Sequence, residues 1–158
     1  MVARPGAQNA GEPGGVGLTG RRGARHAAEV VEVTIPPKPE FLTVARLTAA
    51  TVAARQSFTY DEIEDLKIAV SEACTALLLA GTAGHPLALR FALDGDTLEV
   101  RIVTKGPGIS LGAAGLRPKP RDEARLGVYL MQCLVDEVAV GRGEGGKAEL
   151  RLVKRRQR

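Results

Sequence analysis

A two-layer α/β (α+β) sandwich, with helices on one face of a mixed, mostly antiparallel sheet, is the fold class this sequence predicts. Three observations carry it. Segments of period two and segments of helical period alternate in the order β-α-α-β-β-α-β-β. Two short breaks, Asp94-Gly95 and Gly143-Glu144-Gly145-Gly146, stand where hairpins need tight turns. The chain has 158 residues, which suits one domain with a tail.

The first strand, Glu29 to Ile35, alternates Val31, Val33 and Ile35 against Glu32 and Thr34, and Pro36, Pro37 and Pro39 end it. A helix from Glu40 to Arg55 follows, with Phe41, Val44, Leu47, Thr48 and Val52 at helical spacing as its packed face. The next helix, Tyr60 to Ala80, opens on a capping box of Thr59 and Glu62, with Asp61 and Glu62 in the first turn where the helix dipole favours negative charge. Its core stripe is Ile63, Leu66, Val70, Cys74 and Leu77, widened by Ile68 and Ala69, while Glu62, Asp65 and Lys67 populate the other side. Leu87 to Leu93 and Thr97 to Val103 form a hairpin around Asp94-Gly95. Gly106 to Asp122 is a long Gly/Pro loop. A helix from Glu123 to Leu134 then leads into a last hairpin, Asp136 to Gly141 with Lys147 to Val153.

Composition narrows the function classes. With 3% aromatic residues and no Trp, the core must be aliphatic. Residues 1–27 hold Gly, Ala, Pro and Arg without periodicity and are expected to be disordered. They lack the apolar core of a signal peptide, and no apolar stretch reaches the roughly 18 residues of a membrane span, so a cytoplasmic protein without a membrane partner is expected. The net charge is +4. The excess sits at the ends, in Arg4, Arg21, Arg22 and Arg25 and again in Lys154, Arg155, Arg156 and Arg158. The domain between, residues 28–154, is slightly acidic and carries no footprint for nucleic acid; residues 155–158 read as a basic tail. Cys74 and Cys133 lie in helices among apolar neighbours and read as reduced core residues. His26 and His85 alone offer little for a metal site or a histidine-based triad, and no metal is expected.

Glu72 lies off the centre of its helix's apolar stripe and Ala76 is four residues on, so both point to one side, the candidate site. The run YDEIEDLKIAVSEACTA from Tyr60 to Ala76, together with VYLMQCLVDEVAV from Val128 on, resembles the anti-sigma-factor serine kinases of the RsbW and SpoIIAB types, in the GHKL (HATPase_c) superfamily of Bergerat-type fold. The likeness spans roughly Glu29 to Lys154. It implies an ancestral Mg-ATP site in which Glu72 holds the place of the general base, now vestigial. Ala76 holds the place of the magnesium-ligating Asn, Thr104 that of the Asp that binds the adenine amino group, and Gly106 and Gly108 those of the two glycines after it. In the second glycine-rich box Gly127 stands and Arg125 replaces a glycine. The Gly106 to Asp122 loop would be the ATP lid. Arg46 matches the first-helix arginine that the family presents to the sigma factor and to the anti-anti-sigma factor.

Losing the carboxylate opposite adenine removes a bond worth about 1.5–3 kcal/mol, and losing a magnesium ligand removes at least as much again. A Cβ at Arg125 obstructs the backbone approach to phosphate that glycine permits. The resemblance therefore implies an anti-sigma factor of stress-response or sporulation type, a pseudokinase with no cofactor expected. It would hold an alternative sigma factor, yield it to a STAS-domain anti-anti-sigma factor, and form a homodimer or heterocomplex. Two alternatives stand beside it: an active serine kinase with a rearranged ion shell, and a pocket that now senses another ligand. Blander readings also remain. Glu72 also fits a solvated mid-helix residue, Arg46 an exposed side chain paired with an acid, and the glycines plain turn formers.

Overall fold

The computed structural model describes residues 28–111 and 123–158. The expectations for residues 1–27 and for most of the Gly/Pro loop lie outside them. Five strands, β1 (Glu29–Ile35), β2 (Leu87–Asp94), β3 (Thr97–Thr104), β4 (Glu137–Arg142) and β5 (Ala148–Arg155), form one sheet in the order β1-β2-β3-β5-β4. Each of its pairings is antiparallel, so the parallel part of the expected mixed sheet is not found among the described residues. The topology explains this. β3 and β4 run the same way, as a helical crossover requires, but β5 is inserted between them and pairs with both. The first hairpin turns one residue later than expected: Asp94 pairs with Thr97, and Gly95-Asp96 form the turn with Gly95 at φ +61°.

Three helices cover one face: α1 (Leu42–Arg55), α2 (Tyr60–Ala80) and α3 (Glu123–Leu134). Leu87, Leu89, Phe91, Val100, Ile102 and Leu152 of the sheet meet Leu66, Val70, Cys74 and Leu77 of α2 and Met131 of α3 in one core that is aliphatic apart from Phe91 and Phe58. Burial pushes the Cys74 thiol up to about 12, so it stays protonated and inert at neutral pH. Cys133, expected in the core, is exposed. The opposite face of the sheet is polar. Arg101 and Arg151 are direct cross-strand partners, a repulsive pair relieved by Glu99, which accepts from Arg101 at 2.5 Å and Arg151 at 2.6 Å. Burial pushes the Glu99 carboxyl up, and these two guanidinium bonds outweigh it and hold the group below its ordinary value. Among the described residues no helix is long and apolar enough to cross a membrane.

The first helix departs from its expected packing. Pro39–Phe41 form a 3-10 turn and the α-helix proper begins at Leu42. It buries Ala45, Ala49, Val52 and Ala53, and leaves Phe41, Val44 and Leu47 exposed by 38%, 42% and 59%. The helix is apolar on more than one side, so its spacing marks stripes without ranking them. Packing against α2 selects the alanine stripe, whose small side chains let the two helices lie close. On α2 the expected stripe holds at Leu66, Ala69, Val70, Cys74 and Leu77, but Ile68 faces outward at 42% exposure.

The capping box is present. Thr59 N donates to Glu62 Oε2 at 2.7 Å, and Glu62 N donates to Thr59 Oγ1 at 3.2 Å. Glu62, expected on the solvent side, is buried, because its Oε1 accepts the backbone N–H of Gln157 at 2.6 Å. Arg156 donates to the Gln56 carbonyl and Lys154 to the Leu134 carbonyl. The expected boundary after residue 154 therefore falls inside β5; Arg155 is held by Asp136 and Glu137, and Arg156 and Gln157 strap the α1–α2 elbow instead of forming a free tail. Burial pushes the Glu62 carboxyl up, but the N–H bonds from Gln157 and Thr59 outweigh it and hold it below its ordinary 4.5. A carboxyl lowered by folding stabilises the fold above its unfolded value and loses that effect as pH falls through the folded one. Glu62→Gln is expected to destabilise by about 1–2 kcal/mol at neutral pH, and the gap to wild type to narrow as pH falls below the ordinary carboxylate value of 4.5 and through the lowered one. Urea melts at neutral and at acid pH check this; a gap that does not change with pH contradicts it.

Candidate functional site

The C-terminal half of α2, the segment after β3 and the start of α3 enclose a cavity of about 260 Å³. Ala76, Leu79 and Ala80 of α2 form one wall, Gly108, Ile109 and Ser110 the second, and Arg125 and Val128 of α3 the third. Three of the expected site residues, Ala76, Gly108 and Arg125, thus meet in one cavity. Ala76 is buried, whereas Leu79 is 65% exposed at the mouth. The walls are chiefly aliphatic, and Arg125 brings the one charged side chain among the described lining residues.

The other expected residues stand around this cavity in structural tasks. One turn back along α2, Glu72 packs on α3: its Oε2 lies 2.9 Å from the place a Cβ on Gly127 would take. The close approach of that carboxylate accounts for glycine at 127. Thr104 is buried at the end of β3 and its hydroxyl donates to the Pro86 carbonyl at 3.0 Å. Gly106 is pressed onto the end of α2, where an added Cβ would overlap the Gly81 carbonyl oxygen. Gly108 has φ +76°, and a Cβ there would stand 3.1 Å from the Ala148 Cβ. Close packing and backbone conformation account for both glycines. Arg46 is exposed on α1 and is not among the described lining residues.

One residue escaped the sequence reading. The Arg142 guanidinium, at the end of β4, donates to the Gly106 carbonyl at 2.7 Å, the Pro107 carbonyl at 2.6 Å and the Gly146 carbonyl at 3.0 Å. It ties the β4–β5 turn to the segment that forms the cavity's second wall. The only sequence signal was an arginine ahead of a Gly-rich turn, which does not identify its acceptors. Among the described residues no group of three or more His, Cys, Asp or Glu side chains is placed to hold a metal ion.

Comparison with known proteins agrees with this architecture. Residues 35–154, from the end of β1 almost to the end of β5, match the family described as Histidine kinase-like ATPase domain. The chain is 38% identical over 136 residues to the Serine-protein kinase RsbW of Bacillus pumilus, covering 74% of this chain and 81% of that protein. It is 36% identical over 133 residues to the RsbW of Bacillus subtilis, covering 77% and 83%. Among solved structures, the RsbU and RsbW domains of Rv1364c from Mycobacterium tuberculosis superpose with a TM-score of 0.59 at 18% identity. That match covers 82% of this chain and 33% of the other, and bears on the fold alone. By sequence over three quarters of its length and by fold, the chain belongs to the histidine kinase-like ATPase family, and within it to the RsbW serine-protein kinases.

Proposed function

We propose that this protein is an anti-sigma factor that works by partner switching without ATP chemistry of its own. It sequesters an alternative sigma factor of RNA polymerase, of stress-response or sporulation type. A STAS-domain anti-anti-sigma factor releases that sigma factor by taking an overlapping surface. The observation that carries this reading is the outward face of α1. Phe41, Val44 and Leu47 are exposed on the 3-10 turn and helix that bear Arg46, while the same helix packs inward through alanine. Scattered exposed apolar residues mean little, but a cluster of large ones beside an arginine has the composition of a binding anchor.

The cavity supports the second half of the proposal, because its residues do not fit Mg-ATP. Ala76 offers no oxygen to a magnesium ion, which binds hard oxygen donors. The Thr104 hydroxyl donates to the Pro86 carbonyl, and among the described lining residues the chiefly aliphatic walls offer a purine's polar edge and a triphosphate few partners beyond Arg125 and Ser110. Control then comes from how much unphosphorylated anti-anti-sigma factor another kinase leaves available. Thermal-shift titration with Mg-ATP tests this. The wild type is expected to show no saturable shift up to about 1 mM, and Ala76→Asn alone to stay silent because Thr104 and Arg125 are unchanged. A rise of several degrees at micromolar Mg-ATP refutes it, since ligand at 100 times its Kd stabilises by about 2.7 kcal/mol.

A further inference from the structure

We propose that Arg156 and Gln157 form a strap that sets the pose of α1, so that this strap and the partner-binding outer face of α1 are energetically coupled. This rests on the reading that the outer face of α1 takes the partner. The helix has little of its own to hold it in place. It packs chiefly on α2, and three of its four buried residues are Ala45, Ala49 and Ala53, which contribute little apolar area. The elbow that follows is strained. Ser57 has φ +57°, a left-handed conformation that a residue other than glycine keeps only where its surroundings fix it.

The strap supplies that fixing on both sides of Ser57. Phe58 is anchored in the core. Arg156 Nη1 donates to the Gln56 carbonyl at 3.2 Å, at the end of α1 where carbonyls lack helical partners and the helix dipole favours a positive charge. Gln157 N donates to Glu62 Oε1 at 2.6 Å, while Oε2 of the same carboxylate accepts from Thr59 N at 2.7 Å. One buried carboxylate thereby joins the start of α2 to the segment after β5. The strap also has its own hold on the sheet, because Arg156 N donates to the Asp96 carbonyl in the β2–β3 turn at 2.8 Å. It fixes the elbow relative to the sheet, and with it the direction of α1. A partner that recognises α1 in this pose binds better when the strap is in place, and by linkage tightens the strap in return.

Two substitutions at exposed Gln157 separate the strap from its side chain. Gln157→Pro removes the N–H given to Glu62, and Gln157→Ala keeps it. Hydrogen exchange on the full chain is the first measurement. Gln157→Pro is expected to speed exchange of the α1 and elbow amides about tenfold or more, and to leave the β3 and β5 amides within about twofold of wild type. Gln157→Ala is expected to match wild type. Surface plasmon resonance with an alternative sigma factor is the second, and Gln157→Pro is expected to bind about fivefold or more weakly while Gln157→Ala binds unchanged. Arg156→Ala removes the bond to Gln56 and leaves the backbone intact, so it is expected to act in the same direction and keeps the test valid if Gln157→Pro does not fold. Acceleration of all amides alike, or of none, overturns the strap. Unchanged sigma affinity in a variant whose α1 has loosened overturns the coupling. A wild type that binds no sigma factor, with α1 still selectively loosened by Gln157→Pro, overturns the anti-sigma reading alone and upholds the strap.

Discussion

Gly106→Ala is expected to destabilise the protein by about 3 kcal/mol, a large loss for one added methyl group. The new Cβ would overlap the backbone carbonyl oxygen of Gly81. A backbone atom at the C-cap of α2 has no rotamer to retreat into, so the segment or the helix end must move. Moving the segment also pulls the Gly106 and Pro107 carbonyls away from Arg142. Gly127→Ala is the control. There the Cβ meets Glu72 Oε2, the end of a flexible side chain, and a cost of about 1 kcal/mol is expected as the carboxylate swings aside. Urea denaturation of both variants checks the difference; Gly106→Ala within about 0.5 kcal/mol of wild type would contradict the close approach.

Leu47→Asp and Arg46→Ala are each expected to weaken sigma-factor binding about 30-fold or more, the equivalent of about 2 kcal/mol at a binding hot spot. Both side chains are exposed on α1, so their loss should leave the melting temperature within about 2 °C of wild type. Glu72→Ala is expected to leave sigma binding unchanged, because Glu72 packs against Gly127 on the far side of α2 from α1 and takes no part in the exposed stripe. Surface plasmon resonance on the three variants separates the interface from the cavity. Equal losses in all three would place the binding surface elsewhere.

The parts of the fold that were legible in the sequence are those set by local chemistry. Thr59 and Glu62 announce their capping box because both partners lie within one helical turn. The alternation of Leu98, Val100 and Ile102 announces β3 because burial of one face enforces a period of two. What escaped depends on residues far apart in sequence. Glu62 is buried by Gln157, 95 residues away. Arg142 acts on carbonyls 35 and 36 residues earlier. The packed face of α1 could not be chosen from spacing, because Ala45, Ala49 and Ala53 form a stripe as regular as that of the larger residues, and only the distance to α2 decides between them. At the site, the sequence brought Ala76, Gly108 and Arg125 to attention, and they line one cavity. It did not reveal that Thr104 is tied to Pro86, since the acceptor is a backbone carbonyl that no side-chain pattern marks.

The affinity of the purified protein for an alternative sigma factor, measured with and without Mg-ATP, tests the proposed partner switch most directly. Exposure of Phe41, Val44, Leu47 and Arg46 on the outer side of α1, together with the proposed loss of nucleotide binding, leads us to expect the same Kd in both conditions. Absence of sigma binding, or an affinity that rises about tenfold or more when micromolar Mg-ATP is added, would contradict the account.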